Sequence, residues 1–190
     1  MKRKYKCVFL DRDGVINKIA PEGDYIKNWS EFRFLPSVKE AINRLNKADF
    51  LVIIITNQRG IARGLMTEED LKDIHTKMIE ELKKSGAKID GIYYCPHGEK
   101  DNCNCRKPKI GMFLKAKKDF SIEMNESWLI GDSNSDIIAG EKAGCKNILI
   151  KNKFNKNDIL IDDKTKSIYS VYNIVNAVNK ILDDNNKFII

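Results

Sequence analysis

The sequence predicts an α/β protein with a three-layer, Rossmann-like fold around a central parallel sheet. Short apolar runs rich in β-branched residues alternate with longer segments whose apolar residues recur at helical spacing. Repetition of this kind indicates parallel strands with helices on both faces of the sheet. The chain of 190 residues is long enough to bury a core and fits one domain of ordinary size.

Each predicted element rests on a local pattern. A continuous β-branched run such as residues 51–55 is typical of a strand that is covered on both faces. The helix that begins at Thr67 pairs this residue with Asp70 in a capping-box pattern and ends at Ser85. The predicted strands are residues 7–10, 51–55, 92–94, 128–130 and 148–150. The other predicted helices are residues 36–48, 111–120, 136–143 and 171–182, and the polar segment 151–166 is a predicted loop.

Composition limits the classes of function. The formal net charge is +7, a basic balance that suits either nucleic acid or a phosphorylated small substrate. The lysines are scattered and no stripe of arginines interleaved with aromatics is present, so nucleic-acid binding is disfavoured. No apolar stretch approaches the roughly 20 residues of a membrane span, and the run VFL is too short for a signal sequence. We therefore expect a cytoplasmic protein with no membrane partner.

Two acidic residues follow the first predicted strand in the motif FLDRDGVIN. Asp11 and Asp13 are two positions apart, so in an extended segment their side chains point the same way, and Gly14 permits a sharp turn. Two carboxylates aimed at one place are costly unless a cation lies between them or one is protonated. A carboxylate can also attack phosphorus as a covalent nucleophile. Taken alone, such a pair would more often be two turn aspartates.

Two further motifs follow strands whose carboxyl ends meet at the same edge of a parallel sheet. In IIITNQRGIARG, Thr56 ends a buried strand and Gly60 and Gly64 form a flexible turn, and hydroxyl and backbone N–H groups suit a phosphate oxygen. In WLIGDSNSDIIAG, Asp132 and Asp136 follow a strand, and carboxylate oxygen is the ligand that Mg²⁺ prefers. Asp136 also suits the N-terminus of a helix.

Together with the basic segment RKPK, these motifs resemble the haloacid dehalogenase-like phosphatase superfamily. Four elements recur in order: DxDG after a first strand, a strand-terminal Thr, a downstream Lys and a GDxxxD acid pair. The resemblance implies that Asp11 is the nucleophile that forms an aspartyl-phosphate and that Asp13 is the general acid and then the base. It implies that Mg²⁺ is held by Asp11, the backbone carbonyl of Asp13 and Asp132. Thr56 and Lys107 would neutralise the transferring phosphoryl group.

The loop YYCPHGEKDNCNC concentrates metal-binding residues. Its spacing, C-x-H-x5-C-x-C, supplies three thiolates and one imidazole, a complete tetrahedral set for a structural Zn²⁺. The predicted ligands are Cys95, His97, Cys103 and Cys105. Free cysteines beside a surface histidine are the alternative, and a redox role is weaker because C-x-x-C is absent. We read Cys7 and Cys145 as core residues and His75 as a surface or packing residue.

A zinc-bound loop at residues 95–105 would position the residues that follow it in the chain at a phosphate site. Lys107 supplies a point charge and Arg106 a bidentate fork for a second phosphate, while Pro108 stiffens the exit. Lys109 is the rival for the catalytic lysine. Lys107 is preferred because family relatives carry their lysine directly after the arginine of CRKP.

Within the superfamily, residues 7–150 resemble the heptose bisphosphate phosphatase family through LDRDGVIN, TNQRGIARG, DGIYYCPH, CNCRKPKIGM and IGDSNSD. The resemblance implies a single domain over residues 1–190 without a large cap domain. It implies a Mg²⁺-dependent enzyme that removes the 7-phosphate of D-glycero-D-manno-heptose 1,7-bisphosphate, a small sugar bisphosphate. The product would lead to nucleotide-activated heptose for lipopolysaccharide or other surface glycans. We expect a monomer.

Substrate contacts carry over by position from this family. The implied residues are Arg12, Gly23, Asp24, Tyr25, Asn57, Gln58, Arg59 and Arg106. Two positions depart from the family pattern. Arg59 stands where many relatives have a small residue, and Ser133 stands where some relatives have a lysine. The short zinc loop is also seen in histidinol-phosphate phosphatases, the nearest rival, although NQRGIARG and RKPKIGM are closer to the heptose enzymes. A nucleic-acid 3′-phosphatase would share the DxD chemistry, but no long basic groove is visible.

Overall fold

Six parallel strands form the central sheet of the computed structural model, which describes residues 3–151 and 168–186. The strands are β1 (Cys7–Leu10), β2 (Leu51–Asn57), β3 (Gly91–Cys95), β4 (Trp128–Gly131), β5 (Lys146–Ile150) and β6 (Ile168–Val171). The helices are α1 (Val38–Lys47), α2 (Glu68–Lys84), α3 (Gly111–Phe120), α4 (Asn134–Ala143) and α5 (Ile174–Asn186). Within the described residues, no helix combines the length and the apolar character needed to cross a membrane.

Alternate side chains of the strands pack against helices on opposite faces of the sheet. In β1, Val8 and Leu10 join a core with α1, α2 and α5, whereas Cys7 and Phe9 join a second core with α3 and α4. All four side chains are fully buried. A central strand that is covered on both faces explains the continuous apolar run CVFL. The three-layer arrangement predicted from the sequence is confirmed.

The element boundaries confirm most of the sequence prediction and correct its C-terminal part. The predicted elements occur in the expected order, and Thr67 and Asp70 form the predicted capping box at the start of α2. The helix predicted at residues 171–182 is α5, which begins later, at Ile174, because the preceding residues form the edge strand β6. The side chains of β6 are half-buried or exposed, so no buried apolar run marks this strand in the sequence. Apart from Lys151, the predicted loop 151–166 lies outside the described residues.

The strand order, β3-β2-β1-β4-β5-β6, creates a reversal next to β1. The chain moves outward from β1 through β2 to β3 and then returns to the other side of β1 with β4. Such a reversal leaves a crevice at the carboxyl ends of the two central strands, where open α/β sheets bind ligands. Asp11 directly follows β1 and Asp132 directly follows β4, and the backbone N–H of Asp11 donates to the carbonyl of Ile130 at 3.0 Å. The topology thus brings two distant motifs to one place.

Candidate active site

Three carboxylates meet at this crevice. One oxygen from each of Asp11, Asp132 and Asp136 lies within 4.8 Å of the others. Asp136 is fully buried, and 13% of the Asp11 side chain is exposed. The third carboxylate arrives with the first turn of α4, which starts directly after β4. Such a concentration of oxygen ligands fits a hard cation such as Mg²⁺.

Lys107 is a positive charge within this cluster. Its side chain is 2% exposed, and its Nζ lies 2.9 Å from Asp11 Oδ1 and 2.5 Å from Asp136 Oδ1. The same Nζ donates to the carbonyl of Ile55 at 2.8 Å. Burial alone would lower the pKa of Lys107, but the charges of Asp11 and Asp136 raise it above its usual range. The lysine is therefore protonated and fixed between two acids.

The acids carry more negative charge than Lys107 neutralises. Burial raises the pKa of Asp11 to about 6, although the charge of Lys107 opposes the rise. Burial also raises the pKa of Asp132 to about 8, with repulsion from Asp11 and Asp136 as further causes. Shifts in this direction indicate a site that is short of positive charge. A divalent cation would relieve the repulsion, so the donor set fits Mg²⁺.

Gly14 lets the chain pass close to this cluster. Its φ is +86°, a conformation that glycine adopts without strain. A Cβ atom at this position would collide with the carboxylate of Asp132, because that side chain lies directly against the Gly14 backbone. Asp132 therefore lies against Gly14, and any side chain at position 14 would displace it.

Asp13 lies among hydrogen-bond donors rather than among acids. Nη2 of Arg12 donates to both of its oxygens, at 3.1 and 3.0 Å. Nδ2 of Asn17 donates to Oδ1 at 2.8 Å, and Nε2 of Gln58 donates to Oδ2 at 3.0 Å. Burial alone would raise the pKa of Asp13, but the charge of Arg12 and these hydrogen bonds lower it. Asp11 and Asp13 are thus shifted in opposite directions, a pattern expected when two carboxylates have different roles.

The residues at the end of β2 tie the site together. Thr56 is buried, and its Oγ1 accepts a hydrogen bond from Gln58 at 2.9 Å, so Gln58 links Thr56 with Asp13. Asn57 exchanges two hydrogen bonds with the backbone of Lys107, at 3.0 and 3.2 Å. The structure therefore places Asn57 and Gln58, both predicted as substrate contacts, where they orient Lys107 and Asp13.

The structure places Arg12, which the sequence assigned to the substrate, behind Asp13. This side chain is 0% exposed, and its guanidinium faces Asp13 on one side and His75 Nε2, at 3.4 Å, on the other. The alternation of an extended segment directs Arg12 away from its two acidic neighbours. The chain makes a tight turn after β1, in which the Arg12 carbonyl accepts hydrogen bonds from the backbone N–H groups of Ile16 and Asn17. Within this turn, the Arg12 side chain bends back to Asp13.

Two arginines that the sequence assigns to the substrate share one acidic partner. Arg59 Nη1 lies 2.6 Å from Glu99 Oε1, and Arg106 Nη2 lies 3.8 Å from the same oxygen. Arg59 directly follows Gln58 and Arg106 directly precedes Lys107, so both adjoin residues of the site in the chain. Their side chains are 37% and 21% exposed, which leaves them accessible to an anion.

The predicted contacts Gly23, Asp24 and Tyr25 lie on a loop between β1 and α1. Asp24 pairs with Lys27 at 2.7 Å, and the Arg63 guanidinium lies 5.7 Å from the centre of the Tyr25 ring. Arg63 belongs to the loop after β2, so the loops that follow β1 and β2 pack side by side. Gly23, Asp24 and Tyr25 thus lie beside the loop after β2, which begins with the site residue Gln58.

The four predicted zinc ligands lie together in the loop between β3 and α3. Sγ of Cys95 is 3.1 Å from that of Cys105 and 3.6 Å from that of Cys103. Nδ1 of His97 is 3.2 Å from Sγ of Cys105, and all four donor atoms lie within 4.8 Å of one another. Sulfur ligands at about 2.3 Å from Zn²⁺ would form a tetrahedron with edges of about 3.8 Å. The cysteines are free thiols, so the set fits a closed zinc site.

The rival lysine, Lys109, contacts the zinc loop. Its Nζ donates to the carbonyl of Cys103 at 2.6 Å and to Oδ1 of Asn102 at 3.1 Å. Lys107 reaches the acidic cluster instead, so the geometry favours Lys107 as the cation of the site.

Asp136 belongs both to the cap of α4 and to the acidic cluster. The helix α4 begins at Asn134, two residues before the predicted start, because Ser133 and Asp136 form a capping box. One oxygen of Asp136 completes this cap and the other pairs with Lys107. Its place in GDxxxD is the signal that could have found it, but a helix cap explains the same spacing. Asn17 and Glu99 also contribute, although the sequence assigned them no role. His75, which we expected to be a surface or packing residue, is buried and contacts Arg12.

Known proteins with similar sequences place this chain in a family. A family model described as polynucleotide kinase 3 phosphatase matches residues 6–183. The D-glycero-beta-D-manno-heptose-1,7-bisphosphate 7-phosphatase of Pseudomonas aeruginosa is 40% identical over 76% of this chain and 80% of the relative. The D-glycero-alpha-D-manno-heptose-1,7-bisphosphate 7-phosphatase of Campylobacter jejuni is 42% identical over 80% of this chain and 86% of the relative. The chain belongs to the heptose bisphosphate phosphatase family of haloacid dehalogenase-like hydrolases.

A solved structure from the heptose bisphosphate phosphatase family has the same architecture. It is the D,D-heptose 1,7-bisphosphate phosphatase of B. bronchiseptica, complexed with magnesium and phosphate. The two chains are 32% identical and superpose with a TM-score of 0.86 over 94% of this chain and 99% of that one. The family and the fold class expected from the sequence are thereby confirmed.

Proposed function

We propose that this chain is a Mg²⁺-dependent phosphatase that removes the 7-phosphate of D-glycero-D-manno-heptose 1,7-bisphosphate, in the synthesis of nucleotide-activated heptose. The proposal is carried by the meeting of Asp11, Lys107 and Asp132 at the reversal of the sheet, in a chain 40% identical to a phosphatase named for this substrate. A nucleophilic carboxylate, a fixed positive charge and an oxygen-rich metal site are the parts that phosphoryl transfer requires.

The first step transfers the phosphoryl group to Asp11. One of its oxygens attacks the phosphorus of the 7-phosphate, the bond between phosphorus and the sugar oxygen breaks, and an aspartyl-phosphate forms. Asp13 gives a proton to the departing sugar oxygen. Its donors favour the ionised form before substrate arrives. The negative phosphoryl group then raises the pKa of Asp13, which takes up the required proton from solvent as substrate binds. Lys107 neutralises charge on the group in transfer.

The second step releases phosphate. Asp13 takes a proton from a water molecule whose oxygen attacks the phosphorus of the aspartyl-phosphate, and the bond to Asp11 breaks. The three side chains that donate to Asp13 favour its ionised form, which is the form a base needs. Thr56 offers its hydroxyl to a phosphoryl oxygen throughout.

Two metal ions fit the donor sets of this chain. Asp11, Asp132 and the carbonyl of Asp13 would hold Mg²⁺, and the four-residue cysteine and histidine cluster would hold Zn²⁺. When bound, Mg²⁺ supplies positive charge that draws a phosphate oxygen to the nucleophile and stabilises the charge of the transfer. Zinc would order the loop that carries Arg106 and Lys107.

The remainder of the substrate is assigned to residues around the acidic cluster. Arg59 and Arg106 would take the 1-phosphate, since guanidinium groups bind phosphate through paired hydrogen bonds. Gly23, Asp24 and Tyr25 would contact the sugar from the loop after β1. Partial exposure of both arginines supports this assignment.

We further propose that residues 1–190 act as one domain and as a monomer in the cytoplasm, without a nucleic-acid or membrane partner. A single sheet with one core on each face supports the single domain. A mass measured by light scattering tests the monomer, and a dimer mass would exclude it.

Phosphate release from a substrate panel tests the proposed reaction. The panel contains both anomers of heptose 1,7-bisphosphate, histidinol phosphate and an oligonucleotide with a 3′-phosphate, each with Mg²⁺. We expect a heptose bisphosphate to give the highest kcat/KM. Asp11→Asn should abolish turnover of every substrate while circular dichroism shows an intact fold. Turnover by a folded D11N protein would refute the nucleophile assignment.

A polynucleotide 3′-phosphatase is the second candidate, because the matching family model carries that description. Highest activity on the oligonucleotide, or on histidinol phosphate, would overturn the proposed substrate and leave the phosphatase class intact. A relative named for the alpha anomer is 42% identical to this chain, and two named for the beta anomer are 40% and 43% identical. The kinetic comparison of the two anomers therefore decides between them.

A further inference from the structure

Arg12 and His75 form a buried polar chain behind Asp13. Arg12 follows β1, has no exposed surface and donates through Nη2 to both oxygens of Asp13. Its other terminal nitrogen, Nη1, lies 3.4 Å from Nε2 of His75, which projects from α2 and is 8% exposed. Two buried residues from different elements thus support one carboxylate.

The contact with Arg12 determines which nitrogen of the His75 imidazole carries the proton. A guanidinium has donors and no acceptor, so Nε2 of His75 accepts the hydrogen bond and the neutral ring carries its proton on Nδ1. Burial, together with the charge of Arg12, lowers the pKa of His75 to about 3. The imidazole is therefore a fixed acceptor rather than an acid or a base in the reaction.

We propose that Arg12 and His75 are positioning residues for Asp13, an inference that rests on the acid–base role proposed above. Nη2 of Arg12 holds both oxygens of Asp13, and His75 restricts the guanidinium from the opposite side. Asn17 and Gln58 complete the support of the carboxylate. A general acid must lie within hydrogen-bond reach of the leaving oxygen, and a displacement of about 1 Å costs about 100-fold in rate.

A positioning role for the general acid predicts a dependence on the leaving group. A sugar alkoxide needs a proton as it leaves, whereas p-nitrophenolate leaves as a stable anion. The ratio kcat/KM covers the steps up to departure of the leaving group, so the later base step does not affect it. Displacement of Asp13 therefore lowers kcat/KM for an alkyl phosphate and has little effect on kcat/KM for p-nitrophenyl phosphate. A general loss of structure lowers both alike.

Two substitutions of His75 separate positioning from packing. Phe fills the space without an acceptor, whereas Gln offers a neutral oxygen near the position of Nε2. The alkyl phosphate is the member of the panel above that the wild type hydrolyses fastest, with Mg²⁺ present. For His75→Phe we expect a loss of about tenfold in kcat/KM on this substrate and of less than about twofold on p-nitrophenyl phosphate. His75→Gln should retain most of the wild-type activity on both.

Arg12→Met removes the donors themselves. We expect a loss of about 100-fold on the alkyl phosphate, again with little change on p-nitrophenyl phosphate. The His75 variants leave Arg12 in place, so they decide the question even when the Arg12 variant fails to fold. Ile74→Val, a buried change in the same turn of α2, is the matched control for packing and should affect both substrates equally.

The outcomes separate this inference from the function on which it rests. Equal losses on both substrates in H75F, or an H75Q enzyme no better than H75F, would overturn the positioning role alone. A wild type that hydrolyses neither substrate would overturn the proposed function, and the inference with it.

Discussion

Glu99 is the acidic partner of the two partly exposed arginines that we propose bind the second phosphate. Its carboxylate lies 2.6 Å from Arg59 and 3.8 Å from Arg106. Exposed ion pairs of this kind contribute about 0–1 kcal/mol each, so they hold the arginines without locking them. In the proposed complex the second phosphate replaces Glu99 as their partner, which costs part of its binding free energy.

Removing the charge of Glu99 should strengthen the binding of a second phosphate. We expect Glu99→Gln to lower KM for heptose 1,7-bisphosphate by about two- to fivefold, because less than about 1 kcal/mol of ion pairing is lost. KM for heptose 7-phosphate should stay unchanged, and steady-state kinetics on the two substrates measures both values. Glu141→Gln, an exposed change on α4, is the control. An equal fall for both substrates would argue against a role in second-phosphate binding.

At the scale of elements, burial of apolar side chains alone does not explain the order of the loop between β3 and α3. It contains one turn of 3-10 helix, Glu99–Asp101, whose side chains are all exposed. A loop with so little apolar burial cannot offset the conformational entropy that ordering it costs. Four ligands around one Zn²⁺ would supply that free energy. Lys107 follows Cys105 by two residues, so the order of the loop also fixes the lysine of the site.

Loss of zinc should therefore reduce activity as well as stability. We expect Cys105→Ser to lose most of the zinc that copurifies with the wild type and to have a lower Tm. A displaced Lys107 should lower kcat by at least about tenfold. Cys145→Ser, which changes a buried cysteine outside the loop, should retain its zinc. Elemental analysis and kinetics check both variants, and a fully active, zinc-free C105S enzyme would contradict the coupling.

The stability of the whole molecule depends on pH through His75. Its pKa is about 3 in the folded protein, against an ordinary value of 6.5, chiefly because of burial. Between these values the unfolded chain binds a proton that the folded protein does not, so the free energy of unfolding falls as pH falls through this window. Above pH 6.5 this contribution is fully retained. The groups around the ring are Arg12, Tyr94 and, along a groove of about 540 Å³, Glu68, Glu69, Lys72 and Asp90.

Replacement of His75 should remove this part of the pH dependence. From pH 7 to pH 5 we expect the wild type to lose about 2 kcal/mol of unfolding free energy relative to His75→Gln, which does not titrate. Asp11 and Asp132 have raised pKa values and act in the opposite direction, but they do so in both proteins and cancel in the difference. Urea unfolding of both proteins at pH 7 and pH 5 measures this difference in unfolding free energy. Parallel changes in both proteins would show that His75 is not the group responsible.

The sequence by itself determined the elements from β1 to β5 and the kinds of side chain at the site. Helical and strand periodicity set the order of the layers, and Thr67 set the start of α2. The D-x-D motif places Asp11 at the end of β1, and the zinc ligands meet because all four lie within residues 95–105. These features depend on residues that are close together in the chain, so local patterns are sufficient to predict them.

Only the tertiary structure decided the partners of these side chains. The contact of Arg12 with His75 and the ion pairs of Lys107 with Asp11 and Asp136 join segments that are far apart in sequence. Such contacts depend on how strands and loops pack, which leaves no periodic signal in the chain. Asp11 and Asp13 look alike in the motif, yet the first lies among acids and the second among donors. The pKa and the role of a carboxylate follow from the groups nearest to it in space, and those are set by the fold.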